Sequence, residues 1–114
     1  MLIQERSFEF AVKIIELYKA FMKKGEFIIS KQLLKSATSI WANIEEASAG
    51  QTKKDFLTKM AIASKEARET RYRLRLLDRT NLIDIQTKPY LDDIEEIIRI
   101  LTKIVKTTGE NLHK

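Results

Sequence analysis

Arg68, Arg71, Arg75 and Arg79 recur at the three- and four-residue spacing of a helix, making one stripe about 16 Å long. Guanidinium groups carry a rigid fork of donors that suits bidentate contact with phosphate better than ammonium groups do. Tyr72 stands beside the stripe and offers a ring on which a base can stack. This pattern fits a nucleic-acid contact. It also fits a solvated face whose cations pair with acids, Glu69 and Asp78 being local candidates and a neighbouring subunit another source. Lys31, Lys35, Lys53, Lys54, Lys59 and Lys65 add diffuse positive charge.

The other residues with chemical potential are carboxylates. Helical bundles hold di-iron centres through glutamates and Glu-x-x-His pairs on facing helices. Glu45, Glu46, Glu66 and Glu69 supply the first half of that set, but the single histidine, His113, lies near the end of the chain. Solvated or ion-paired glutamates are therefore expected, with no metal and no cofactor. No cysteine is present, no Ser-His pairing is available, and no glycine-rich phosphate loop occurs. No catalytic residue is assigned, and the expected role is binding.

A second polar line, Gln32, Ser36, Ser39, Asn43 and Glu46, flanks the apolar residues Leu33, Leu34, Ala37, Ile40, Trp41 and Ile44 at helical spacing. Short polar side chains compete with helix backbone hydrogen bonds, so a run of them requires a reason. One reading is a solvated face. The other is a hydrogen-bonded seam of Ser39, Asn43 and Glu46 against Glu66 and Glu69, with Lys59 and Arg73 as further partners.

These residues must be carried by helices. The chain has 114 residues, 44% hydrophobic and 32% charged, with a formal net charge of +5, which suits one domain spanning 1–114. Three glycines and one proline punctuate it into helices at about 8–24, 31–49, 53–79 and 89–108. Gly25, Gly50 and Gly109 stand as C-terminal caps, Ser7, Ser30 and Thr52 as N-caps, and Pro89 in a first turn. Short connections favour antiparallel neighbours, hence an all-α, up-down-up-down antiparallel four-helix bundle. Phe27-Ile28-Ile29 and Leu82-Ile83 are expected to plug the bundle ends, and residues 1–6 and 110–114 to fray. The fourth helix places Asp92, Asp93, Glu95 and Glu96 early and Arg99, Lys103 and Lys106 late, complementing its dipole.

The first helix is unusual. Phe8, Ala11, Val12, Ile15, Tyr18 and Met22 form one apolar stripe, and Phe10, Ile14, Leu17 and Phe21 form another beside it. The combined face is wider than one bundle contact requires. Either neighbouring helices wrap it deeply or part of it meets another subunit. The opening residues lack the basic and apolar regions of a secretion signal, and no apolar run approaches the roughly 20 residues that span a bilayer. The cytoplasm is the expected location.

The segment Ser39-Ile40-Trp41-Ala42-Asn43-Ile44-Glu45-Glu46-Ala47 resembles the SI-x-x-N-I-x-E signature of the 23S ribosomal RNA intervening-sequence proteins. The likeness continues through Asp55-Phe56, Lys59, Ile62-Ala63, Lys65 to Thr70, Tyr72 and Leu74 to Leu77, covering helices 2 and 3 closely. Glu45-Glu46-Ala47 replaces the Ala-Glu-Gly of many members, and Tyr72-Arg73 replaces an aromatic pair often found there. The resemblance implies a four-helix bundle assembled as a ring-like homo-oligomer, a pentamer being the best-known state. It also implies candidate partners, RNA and a reverse transcriptase, because relatives of the diversity-generating retroelements bind both through a basic surface. Two functions stand open: an oligomeric RNA-binding or ribonucleoprotein scaffold, and a purely structural or protein-interaction module.

Overall fold

The computed structural model describes residues 1–113. Four helices carry 85% of the protein: α1 (Leu2–Lys23), α2 (Ile28–Ser48), α3 (Lys53–Thr80) and α4 (Lys88–Leu112), with no strand among the described residues. They stack into a rod with extents of 51 × 22 × 21 Å. Each helix contacts the next in sequence, α1 also meets α4, and among the described residues the backbones of diagonal helices do not approach as closely. Residues that meet across each seam run in opposite order: Gln4 with Ser48 and Phe8 with Trp41, Ser36 with Thr70 and Glu46 with Lys59, Arg68 with Thr102 and Arg71 with Glu95, and Arg6 with Glu96 and Lys13 with Asp93. Neighbouring helices are therefore antiparallel.

The core is one stripe per helix, led by Phe10, Ile14 and Phe21 from α1, Leu33, Ile40 and Ile44 from α2, Met60, Leu74 and Leu77 from α3, and Ile94, Ile97 and Leu101 from α4. The α2–α3 seam is the most extensive. Ala37 and Ala47 on α2 and Ala63 and Ala67 on α3 are all buried in the core, and short side chains of this kind let two helix backbones approach closely. Within that seam the Thr70 hydroxyl donates to Ser36 Oγ at 2.9 Å, and both side chains are buried. The expected polar line is thus split in depth. Ser36 is its buried member, Ser39 and Asn43 are half-buried, and Glu46 is exposed but pairs with Lys59 at 3.0 Å. Asn43 donates to the Ser39 carbonyl of its own helix at 2.8 Å rather than to α3.

Several helix boundaries differ from those expected. α1 begins at Leu2, because Ile3 and Ser7 extend the Phe10, Ile14, Leu17, Phe21 stripe backward and are themselves buried. Ser7 is no cap; its hydroxyl donates to the Gln4 carbonyl inside the helix. α2 begins before Ser30, and its amides are capped by a residue upstream: Glu26 Oε1 accepts from Ile28 and Ile29, and Oε2 from Ser30, all at 2.9–3.0 Å. Thr52 does cap α3, its hydroxyl accepting from the Asp55 amide. Gly25 turns the chain with φ +78, and Gly50 lies where a Cβ would crowd the Ala47 carbonyl at 3.1 Å. Gly109 terminates nothing, since α4 continues to Leu112. The left-handed cap after α3 is Asn81, with φ 51. At the bundle ends Ile29 and Ile83 pack on the core, whereas Phe27, Ile28 and Leu82 are exposed.

Two outcomes follow. Partial burial raises the Glu26 pKa, but the three amides outweigh it, and the net pKa lies below the usual carboxylate value. A depressed folded pKa contributes stability above the unfolded value, and that contribution is lost as pH falls through the folded one. Urea melts should show Glu26→Ala costing about 1 kcal/mol at neutral pH, with the gap to wild type closing at acid pH. In the seam, Thr70→Val should cost about 1 kcal/mol and couple to Ser36→Ala in a double-mutant cycle. Asn43→Ala should stay near 0.5 kcal/mol, since its removal orphans no group on α3. A larger Asn43 effect than Thr70 effect would contradict this ordering.

Candidate nucleic-acid interface

The α3 arginines lie along the seam with α4, and the seam divides them into two kinds. Arg71 Nη1 pairs with Glu95 at 3.1 Å and 3.4 Å, one guanidinium nitrogen on both carboxylate oxygens. Arg68 donates to the Thr102 hydroxyl at 3.0 Å, a neutral partner that leaves its charge uncompensated. Arg75 and Arg79 are exposed and make no hydrogen bond or ion pair among the described residues. Tyr72, 62% exposed, points away from the core on the outward side of the same helix. The expected stripe therefore exists as a surface, but Arg71 is neutralised within the chain. Its partner is neither Glu69 nor Asp78. Glu69 lies 3.8 Å from Arg73, and Asp78 accepts from the Thr87 hydroxyl that precedes α4.

Sequence reasoning missed what the acidic opening of α4 does. Those four carboxylates each hold a cation: Asp92 binds Lys88, Asp93 binds Lys13, Glu95 binds Arg71 and Glu96 binds Arg6. Placement near the helix N-terminus accounts for their sign, but their partners come from three helices. The Lys13 pKa is raised by its hydrogen bond to Asp93, against a smaller opposing effect of desolvation. The signal was available in the alternation of acids at 92, 93, 95 and 96, which aims charge toward both neighbouring helices at once.

The glutamates considered for a metal do not converge. Glu45 accepts from Gln4 on the α1 side, while Glu46 pairs with Lys59. Glu66 and Glu69 line a cleft of about 260 Å³ between α2 and α3, together with Gln32, Lys35, Ser36, Ser39 and Arg73. Burial raises the Glu66 pKa, and the like charge of Glu69 adds to the effect. Among the described residues no three His, Cys, Asp or Glu side chains gather as a metal set. No helix is long and apolar enough to cross a membrane.

On the opposite side of the rod α1 exposes several apolar side chains, of which Val12 also lines the cleft toward α4. Phe10, Ile14, Leu17 and Phe21 fill the core, whereas Phe8, Val12, Ile15 and Met22 remain 48%, 40%, 43% and 50% exposed. Phe8 packs edge-on against the half-buried Trp41 of α2, ring centroids 5.6 Å apart. The second stripe of α1 is thus not wrapped by its own bundle. Because the helices follow one another around the ring, this α1–α2 face lies across the bundle from the α3–α4 seam.

Among curated proteins, none matches the chain. A crystal structure from Bacteroides thetaiotaomicron, of a protein with unknown function from the S23 ribosomal protein family, superposes with a TM-score of 0.87 at 46% identity, covering 92% of this chain and 96% of that one. Residues 1–103 match the family described as 23S rRNA-intervening sequence protein. With that match spanning all but the end of α4, the chain belongs to the 23S rRNA-intervening sequence protein family.

Proposed function

We propose that the protein is a non-enzymatic homo-oligomeric scaffold whose copies join through the α1–α2 apolar face and which holds RNA on its basic α3 surface. The observation that carries this reading is the segregation of exposed residues. Large apolar side chains cluster on one face of the rod and uncompensated arginines on the face opposite. Clustered exposed apolar groups mark a contact with another macromolecule, and a second copy is the partner always at hand. A contact on that face leaves Arg75, Arg79 and Tyr72 pointing outward. The family name refers to 23S rRNA intervening sequences, which favours RNA over other polyanions. A pentamer is the state that the resemblance of the signature segment favours, and the cytoplasm is where such an RNA would be met.

One observation favours the rival reading, a protein-interaction module that binds no RNA. Arg71 has its acid within the chain, and Arg68 has a hydrogen-bond partner there, so half of the stripe serves α3–α4 packing.

Light scattering coupled to gel filtration should find wild type oligomeric at micromolar concentration. Val12→Asp with Ile15→Asp should give a helical monomer, because both side chains lie outside the core; a monomeric wild type would refute the assembly proposal. RNA affinity should fall steeply with salt, and Arg75→Ala with Arg79→Ala should flatten the log–log slope by about 1.4 per subunit, at about 0.7 per lost contact to a single strand. Tyr72→Ala should weaken binding at every salt concentration and leave the slope nearly unchanged. Wild type that stays oligomeric without binding RNA at low salt would leave the interaction module as the function.

A further inference from the structure

The α3 cations are not alone on their face. Glu95 and Thr102 are the α4 residues that meet Arg71 and Arg68 across the seam. Arg99 lies four residues after Glu95 and three before Thr102, and Lys106 lies four after Thr102. Side chains at these intervals form one ridge along a helix, so Arg99 and Lys106 stand on the same α3-facing edge of α4. Lys103, seven residues after Glu96 and beside Met1, lies further round toward α1 and off this edge. All three cations are exposed and make no ion pair among the described residues.

We infer that the phosphate-binding track leaves α3 and crosses onto α4, where Arg99 and Lys106 complete it. This deepens the RNA reading above and rests on it. Arg75 and Arg79 form the track at one end of the seam. Arg68 sits at the crossing, level with Thr102 and still charged because its partner is a hydroxyl. The α4 residues form the track at the other end. From Arg79 to Lys106 it runs about 22 Å along the seam, at 1.5 Å of rise per residue.

One acid stands beside it: Asp78, between Arg75 and Arg79, accepts from the Thr87 hydroxyl and pairs with no cation among the described residues. The other acids do not interrupt it. Glu95 is neutralised by Arg71 and Asp92 by Lys88, while Asp93 and Glu96 are held on the α1 side of α4. The next acid along α4 is Glu110, beyond the track. On α3, Glu66 and Glu69 face the α2 cleft. The α4 acids thus quench Arg71, Lys88 and two cations of α1, and leave the helix from residue 97 to 109 without an acid. A narrow line of five or so cations crossing two helices suits one extended strand, whose phosphates carry no base identity.

The probe is a labelled oligouridylate of about 20 nucleotides, titrated against the oligomeric protein from about 50 mM salt upward. Replacing Arg99 and Lys106 together by Ala should flatten the slope by about 1.4 per subunit. Replacing Lys19 and Lys23 on α1 by Ala removes the same net charge and should leave the slope as in wild type. Circular dichroism and light scattering confirm that each variant keeps its helices and assembly. If wild type binds and Arg75→Ala with Arg79→Ala flattens the slope, but the α4 variant behaves like the α1 variant, the crossing track is overturned and RNA binding on α3 stands. If wild type does not bind, the RNA reading itself fails and the track falls with it.

Discussion

The close approach of α2 and α3 is the constraint on which the rest of the bundle depends. Four buried alanines and the Ser36–Thr70 hydrogen bond leave no bulk between those helices. A larger side chain at Ala37, Ala63 or Ala67 would force the pair apart, because a packed interior has no room for added methylenes. The hydroxyl pair favours this register, and because each hydroxyl also reaches a carbonyl of its own helix, Leu33 or Glu66, the preference is a modest one. With this pair fixed, α1 is left one flank and α4 the other. Their mutual seam is the sparsest of the four. A cleft of about 490 Å³ opens along it beside Leu17, Ile85 and Tyr90, and the ion pairs Arg6–Glu96 and Lys13–Asp93 bridge it.

Partly exposed ion pairs of this kind contribute on the order of 0.2–1 kcal/mol each, so the acidic opening of α4 does not hold the bundle together against the apolar core. Its effect is on which charges remain. Four cations are compensated, and the positive charge left over lies where those carboxylates do not reach. A stabilising device of small energy thereby shapes the electrostatic surface.

How much of this was legible in the sequence depends on the range of the interaction concerned. Helix number, class and approximate limits followed from apolar periodicity and glycine placement, because both act within one or two turns. Ser7 and Ser30 misled as caps for a reason that is also local: an N-cap assignment needs to know where the apolar stripe begins, and Ile3 had already begun it. Glu26 could not be recognised as the cap of α2 without the backbone turn that aims its carboxylate at three amides. Asn43 looked like a seam residue because helical spacing places it beside Ser39, but spacing gives direction and not depth; Ser36, one step deeper, is the buried member. Likewise Arg71 and Arg75 are equivalent in sequence. Only the register of α4 decides that Glu95 reaches the first and nothing reaches the second.

The two open readings differ in what they require of α1. A domain that stays single has no reason to keep Phe8, Val12, Ile15 and Met22 apolar, because its core is already filled by Phe10, Ile14, Leu17 and Phe21. At about 25 cal/mol per Å² of apolar area, covering such a face favours association, whereas leaving it in water invites aggregation. Both readings therefore use the α1–α2 side for a protein contact, and they part only over the side across from it. There the decisive quantity is charge that the chain does not compensate. Arg75 and Arg79 lie within reach of an acidic helix that spends its carboxylates elsewhere, and a purely structural surface gains nothing from leaving guanidinium groups unpaired beside one another. Because the ring order sets these two faces on opposite sides of a rod only 22 Å thick, assembly and polyanion contact need not compete for the same residues.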